Sequence, residues 1–291
     1  MQSDIEKKVL LAKVSVHQHY FKTRDKKAEK ELVDKFGVDP SSIDVHKNTI
    51  LKEDIKEIKK ITNAIMPTVY YYTLPYRGGG WRLLTTKMYD RFAESMRKLN
   101  GDLTDALDKF LPNYDEHRKR AMYKLGGLGN EDDYPMPESI REKFSIDVSY
   151  ENIPSSGDLR IELAQSELDA IKKQMEENTQ KSLRAASDKL WARTVGILNN
   201  LKDRMVEYSN DLKDDSKNPK LFESVLENVK DLITLLPDMN VFNDPKLEEV
   251  RQGIEREFSQ LTIDILKGSE AARLDTAKKA EDILKNIGDV I

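Results

Sequence analysis

Residues 190–212 read LWARTVGILNNLKDRMVEYSNDL. Within them Leu190, Thr194, Leu198, Leu201, Met205, Tyr208 and Leu212 follow at steps of four, four, three, four, three and four. That alternation lays the side chains along one stripe of an α-helix, as in a helix packed lengthwise against another. The spacing predicts one long helix over about 165–212. Its stripe needs a partner, either a helix of the same chain or one of a second copy. Farther on, Asn218-Pro219 opens a helix whose Leu221, Val225, Leu226, Val229, Ile233 and Leu236 end at Pro237. Asp244-Pro245 opens another, with Asp at the capping position and Pro at the first helical position. An Ala- and Lys-rich helix over about 270–287 follows.

Composition points the same way. Of 291 residues 38% are hydrophobic, enough for a core, and 34% are charged, while aromatics stand at 7% and glycines number only 13. Such usage favours helices over a large sheet. The expected fold is mainly α (α+β): an elongated helical bundle with long antiparallel helices and a small antiparallel β-sheet. With no cysteine there are no disulfides, thiolate metal ligands or thiol nucleophiles, which suits a reducing cytosol. No segment approaches the roughly 20 apolar residues of a membrane span, so no membrane partner is expected.

Alternating apolar and polar residues predict strands at Val14–His17 and Phe144–Tyr150, and at Leu159–Leu163 beyond the turn-rich ENIPSSGD. The last two read as a long-looped hairpin, to which the first strand, or another chain, adds. Helical spacing marks 26–36 and 53–66, the second expected to end near Pro67. It returns from Thr85 to about Gly126, through Met88, Phe92, Met96 and Leu99 and then Leu103, Leu107, Phe110, Tyr114 and Ala121, with Pro112 as a kink or divide. GGLGNEDDYPMPES, from Gly126 to Ser139, reads as a connector. Charge changes sign there: 25 basic against 18 acidic residues in Met1–Gly126, and 23 against 34 beyond. Three regions are expected: a basic, aromatic-containing 1–126, a connector and hairpin at 127–164, and an acidic helical bundle at 165–291.

Catalytic signatures do not emerge. The histidines, His17, His19, His46 and His117, form no metal pattern, although His17 and His19 share a strand face. Asp132-Asp133 and Asp214-Asp215 fall in polar turns without the spacing of an acid–base pair. No phosphate-loop or dinucleotide fingerprint is present. The expectation is no enzyme, no metal and no cofactor.

One stretch stands apart, YYYTLPYRGGGWRLL at Tyr70–Leu84. Single strands are held by cations that follow the backbone and by aromatic faces on which bases stack, each stack worth roughly 1–3 kcal/mol. Tyr70, Tyr72, Tyr76 and Trp81 supply faces, and Arg77 and Arg82 supply charge. Lys87, Arg91 and Lys98, at steps of four and seven, read as one basic helix face, and Arg118, Lys119 and Arg120 add a second cluster. The competing reading makes the tyrosines core or interface anchors, or a short strand, and Gly78–Gly80 a turn between helices.

The succession LPYRGGGWRLL, DYPMPESIREKF, IPSSGDLRIEL, Trp191-Ala192-Arg193 and LLPDMNVFNDPKLEEV resembles a group of largely uncharacterised tailed-bacteriophage proteins often encoded near replication and recombination genes. The resemblance covers about residues 10 to 290 and carries no catalytic residue across. It implies a phage protein acting in the cytoplasm of the infected bacterial host, in DNA metabolism or in dealing with the host. The expected function is a non-enzymatic, self-associating protein that binds single-stranded DNA through its basic half. The alternative is a protein-binding module, an inhibitor of a host defence complex or an adaptor for a replication ATPase, acting through the acidic helices.

Overall fold

A computed structural model describes residues 5–155, 157, 164–210 and 219–288. In chain order its elements are β1 (Val9–His17), β2 (Lys22–Arg24), α1 (Lys26–Phe36), β3 (His46–Asn48), α2 (Lys56–Tyr72), β4 (Leu74–Pro75), β5 (Arg82–Thr85), α3 (Tyr89–Phe110), α4 (Tyr114–Leu125), α5 (Pro137–Arg141), β6 (Ser145–Glu151), α6 (Gln165–Asn210), α7 (Pro219–Met239), α8 (Pro245–Phe258), α9 (Ile263–Gly268) and α10 (Glu270–Gly288). Helix accounts for 69% of the structure, and the protein is mainly α with a small antiparallel sheet, as composition and periodicity predict. The chain divides into two units built from discontinuous stretches. One joins Met1–Ala12, Thr73–Asp90 and Tyr150–Ile291, the other Lys13–Tyr72 and Arg91–Ser149. This division cuts across the linear order of the three regions read from sequence.

In the first unit the predicted stripe is the core. Leu190, Thr194, Leu198, Leu201 and Met205 are each 1% exposed or less. α10 and α7 cover α6 within the chain, so the partner of the stripe is intramolecular. Ala186, Ala277 and Ala280 are buried too, and their small side chains let helices approach closely beside the larger leucines. α7 packs on α8, and α10 on α8 and α9. Arg273 of α10 is 2% exposed, and its Nη1 donates to Leu266 O at 2.7 Å, placing a cation where the last carbonyls of α9 are unpaired. Asp244 forms the other lock. Its Oδ1 accepts from the Lys246 and Leu247 amides that open α8, and its Oδ2 accepts from Trp191 Nε1 of α6 at 3.0 Å.

The sheet runs in the order β4-β5-β1-β6. β1 is longer than the predicted Val14–His17 because its buried part, Val9–Ala12, does not alternate. It pairs antiparallel with β5, from Val9 opposite Thr85 to Ala12 opposite Arg82. Leu83 and Leu84 are both 0% exposed. Successive strand residues point to opposite faces, so both faces are covered here, and such strands read as continuous apolar runs. The predicted strand Leu159–Leu163 lies outside the described residues.

The second unit packs Phe21, Ile50, Ile55, Ile58, Leu103, Leu107, Phe110, Tyr114, Tyr134, Ile140 and Phe144 into one core. Phe21 meets Phe110 edge-on at 5.4 Å, and the backbone N–H of Phe21 donates to Nδ1 of His19. α2 does not end at Pro67; it runs through it to Tyr72. The buried stripe Ile58, Thr62, Ile65 and Val69 continues past the proline, and that burial offsets the hydrogen bond the proline cannot make. Pro112 does divide the next region, in a 3-10 turn between α3 and α4.

Removing the Asp244 carboxylate frees the first amides of α8 and orphans a buried indole N–H. Asp244→Ala is expected to cost about 2 kcal/mol or more of stability in urea unfolding, and Asp244→Asn distinctly less, because amide oxygen also caps.

Candidate functional site

The stretch Tyr70–Leu84 is not a loop between helices. Tyr70, Tyr71 and Tyr72 form the last turn of α2, and β4 and β5 pair as a hairpin with Leu74 opposite Leu83. Gly79 and Gly80 turn it, with φ of 77° and 84°, a conformation other residues reach only under strain.

The hairpin positions part of the predicted set. The Tyr76 ring is 6% exposed, with the Arg77 guanidinium carbon 5.8 Å from its centroid. Arg82 turns inward, donating through Nε to Thr73 Oγ1 at 2.6 Å and through Nη2 to Thr73 O at 3.2 Å. Trp81 is half-buried. Lys87 is not on a helix: Thr85 Oγ1 accepts from the Met88 amide, and α3 begins only at Tyr89. Lys87 sits in the intervening turn, 3.8 Å from Asp238.

The remaining predicted residues belong to the other unit. Tyr72 packs edge-on against Tyr71, and its hydroxyl accepts from Ser95. Arg91 and Lys98, seven residues apart on α3, share one exposed face. Arg118 is near Asp115, its Nε buried, and Arg120 is paired with Asp54. Lys119 is exposed. The basic cluster on α4 is thus largely matched by carboxylates, Asp115 one turn back on the same helix and Asp54 from a distant stretch of the chain. The charge division along the chain also dissolves: this unit holds 22 basic against 21 acidic residues, and the other 26 against 31.

Two surfaces escaped the sequence reading. On α2, Lys56, Lys60, Asn63, Pro67 and Tyr70 are all exposed, at steps of four, three, four and three. Lys56 and Lys60 have no acidic partner among the described residues, and Tyr70 is 53% exposed. The spacing could have shown this stripe had the helix not been expected to stop at Pro67.

The second surface is α1. Asp25 caps it, accepting from the Ala28 amide at 3.0 Å, and Gly37 closes it with φ of 65° and an N–H bonded to Val33 O. Arg24 grips Glu29 through Nε and Nη2 at 2.8 and 2.6 Å. Lys47 of β3 reaches Asp25 at 3.2 Å and Asp133 at 2.7 Å, and donates to Leu128 O. Glu29 is the only buried residue of α1. Leu32, Phe36 and Val38 are 38%, 65% and 36% exposed. Ion pairs and caps hold the helix base, while at its far end Phe36 stays exposed with the Lys35 ammonium 5.5 Å from its ring centroid.

Hydrogen bonding from Ala28 and the nearby Lys47 hold the Asp25 carboxyl below its usual range, and Arg24 does the same for Glu29. The two carboxylates raise the Lys47 ammonium, Asp133 foremost. Burial pushes the Tyr114 hydroxyl up to about 12. No group of three or more potential metal ligands occurs among the described residues. His17 approaches Asp147 at 3.9 Å, and both are exposed. Comparison with protein-family models, curated proteins and solved structures finds no match to the chain.

Depressed carboxyls stabilise fully above their unfolded pKa and lose that contribution as pH falls through the folded one; a raised lysine contributes below its unfolded pKa and loses it as pH rises. The anchor of α1 is therefore intact between ordinary values of 4.5 and 10.5 and weakens outside them. Lys47→Met is expected to lower the thermal midpoint at pH 7 by leaving two carboxylates close together. Midpoints measured from pH 3 to 7 should converge for wild type and variant at the acid end.

Proposed function

We propose that the protein is a binding module rather than an enzyme, and that it docks a protein partner on the outer face of α1. The observation that carries this reading is the solvent-exposed pair Leu32 and Phe36 on a helix fixed at its base by Asp25, Arg24 and Lys47, with exposed Val38 just past its closing Gly37. A short helix is marginal by itself, and fixing it in advance reduces the ordering cost of association. Large apolar side chains gain about 1.5–3 kcal/mol each when fully covered. In the setting implied by the resemblance, the partner is a host or phage protein of DNA metabolism. The contact surface differs from the acidic helices expected from sequence, whose apolar stripe is already covered inside the chain. Phe36→Ser should weaken capture of the dominant partner from nuclease-treated host lysate by roughly thirtyfold, the scale of an interface hot spot, without changing the circular dichroism spectrum. Undiminished capture by Phe36→Ser would sink this reading. Light scattering of the two proteins separates a second copy of the chain from a different partner.

A second reading, single-stranded DNA binding, is supported by the α2 stripe. Lys56, Lys60 and Tyr70 place two cations and an aromatic face along about 21 Å of one helix side. Affinity for a labelled oligonucleotide should fall with salt, and more shallowly for Lys56→Gln, Lys60→Gln, since fewer counterions are released. Identical salt slopes for wild type and double variant would remove α2 from the site.

A further inference from the structure

The hairpin carries a feature that neither reading uses. Beside it lies a cleft of about 310 Å³ in the first unit, at the lower end of the size range of small-molecule sites. Its lining includes Tyr76, Pro154 and Met175 of α6. Arg77, Lys181 and Asn178 also line it, and none of the described lining residues is acidic. Lys181 is exposed and has no acidic partner among the described residues. Among the described residues the one carboxylate that Arg77 approaches is Glu151, at 4.0 Å with both side chains about half exposed, a contact of little energetic weight. Seven residues separate Met175 from Ser182, also in the lining, so one face of α6 forms the wall. Ser182 Oγ donates to the backbone carbonyl of Asn178 at 2.9 Å, a bond that does not use the Asn178 side-chain amide.

Two cations and an amide donor among apolar and aromatic lining residues suit an anion of several oxygens attached to a flat, weakly polar group. Arginine matches such oxygens with a fork of donors, while lysine supplies a mobile point charge. We propose that this cleft binds a phosphomonoester on a nucleoside, as a free nucleoside monophosphate or as the phosphorylated 5′ end of a strand. Arg77 and Lys181 hold the phosphate, Asn178 adds a donor, and the base lies against Met175, Pro154 and Tyr76. Neither the α1 surface nor the α2 stripe takes part, so Phe36→Ser and the α2 double variant should bind such ligands as wild type does.

The test is calorimetric titration of the full chain with adenosine monophosphate, adenosine, inorganic phosphate, and a trinucleotide with or without a 5′ phosphate. Adenosine monophosphate should bind at least tenfold more tightly than adenosine or inorganic phosphate. Arg77→Gln and Lys181→Gln should each weaken it about tenfold, the loss of one charge-assisted contact. Glu151→Gln should tighten it by releasing Arg77, a gain that a misfolded variant cannot mimic. Preference for the phosphorylated trinucleotide over the monophosphate identifies a strand end as the source, and the reverse identifies a free nucleotide. No heat from the monophosphate at millimolar concentration would overturn the proposal. So would binding indifferent to both charge removals, or inorganic phosphate binding as tightly as the nucleotide.

Discussion

Along α6 a single stripe of buried side chains, Leu190 through Met205, must be kept from water, and the helices of the first unit are placed by covering it. Thr194 sits in the middle of that stripe at 0% exposure, and its hydroxyl donates to Leu190 O within the same helix. A polar atom is thereby buried with its donor satisfied and without a partner on another element. The alanines of α10 complete the packing: helices approach closely where one side offers leucine and the other offers alanine. The Trp191–Asp244 bond then ties the side of the stripe to the start of α8, so the same α6 segment orients a helix some fifty residues later.

The second unit is held differently. Its core is aromatic, built around Phe21, Phe110 and Phe144, while α1 stands on charges. Lys47, 10% exposed at its side chain, lies between two carboxylates and a carbonyl. Such a group is destabilising when it loses one partner, because the remaining charges stay out of water. This anchoring leaves the apolar far end of α1 free of core duties, and it makes the helix a surface rather than a layer. The hairpin shows the converse: residues that look free in sequence, Tyr76 and Arg82, are used for packing and for tying Thr73.

The distinctive sequence motifs of the chain are largely structural in this fold. Tyr134, Ile140 and Phe144 of DYPMPESIREKF enter one core, Leu83 and Leu84 of LPYRGGGWRLL are buried in the sheet, and Trp191 meets Asp244 of LLPDMNVFNDPKLEEV. Side chains spent on packing name no chemistry, since a fold hosts functions through its sites.

The sequence by itself determined the helices with a regular apolar period, α1, α3 and α6, the divide at Pro112 and the cap at Asp244, because those signals are local. Tertiary structure decided the rest. It carried α2 through Pro67, since burial of Val69 beyond the proline outweighs one missing hydrogen bond. It paired β5 with β1, a contact between residues some seventy positions apart whose apolar run VLLA has no period to read. It buried Arg273 against the end of α9, although arginine in an Ala- and Lys-rich helix reads as solvent-facing. It also decided which cations stand free, because neutralisation depends on carboxylates that arrive from elsewhere in the chain: Asp54 reaches Arg120, while no carboxylate among the described residues pairs with Lys181. Local periodicity fixes an element because it is a property of neighbours, whereas the exposure of a charge or an aromatic face is a property of whatever the fold lays across it.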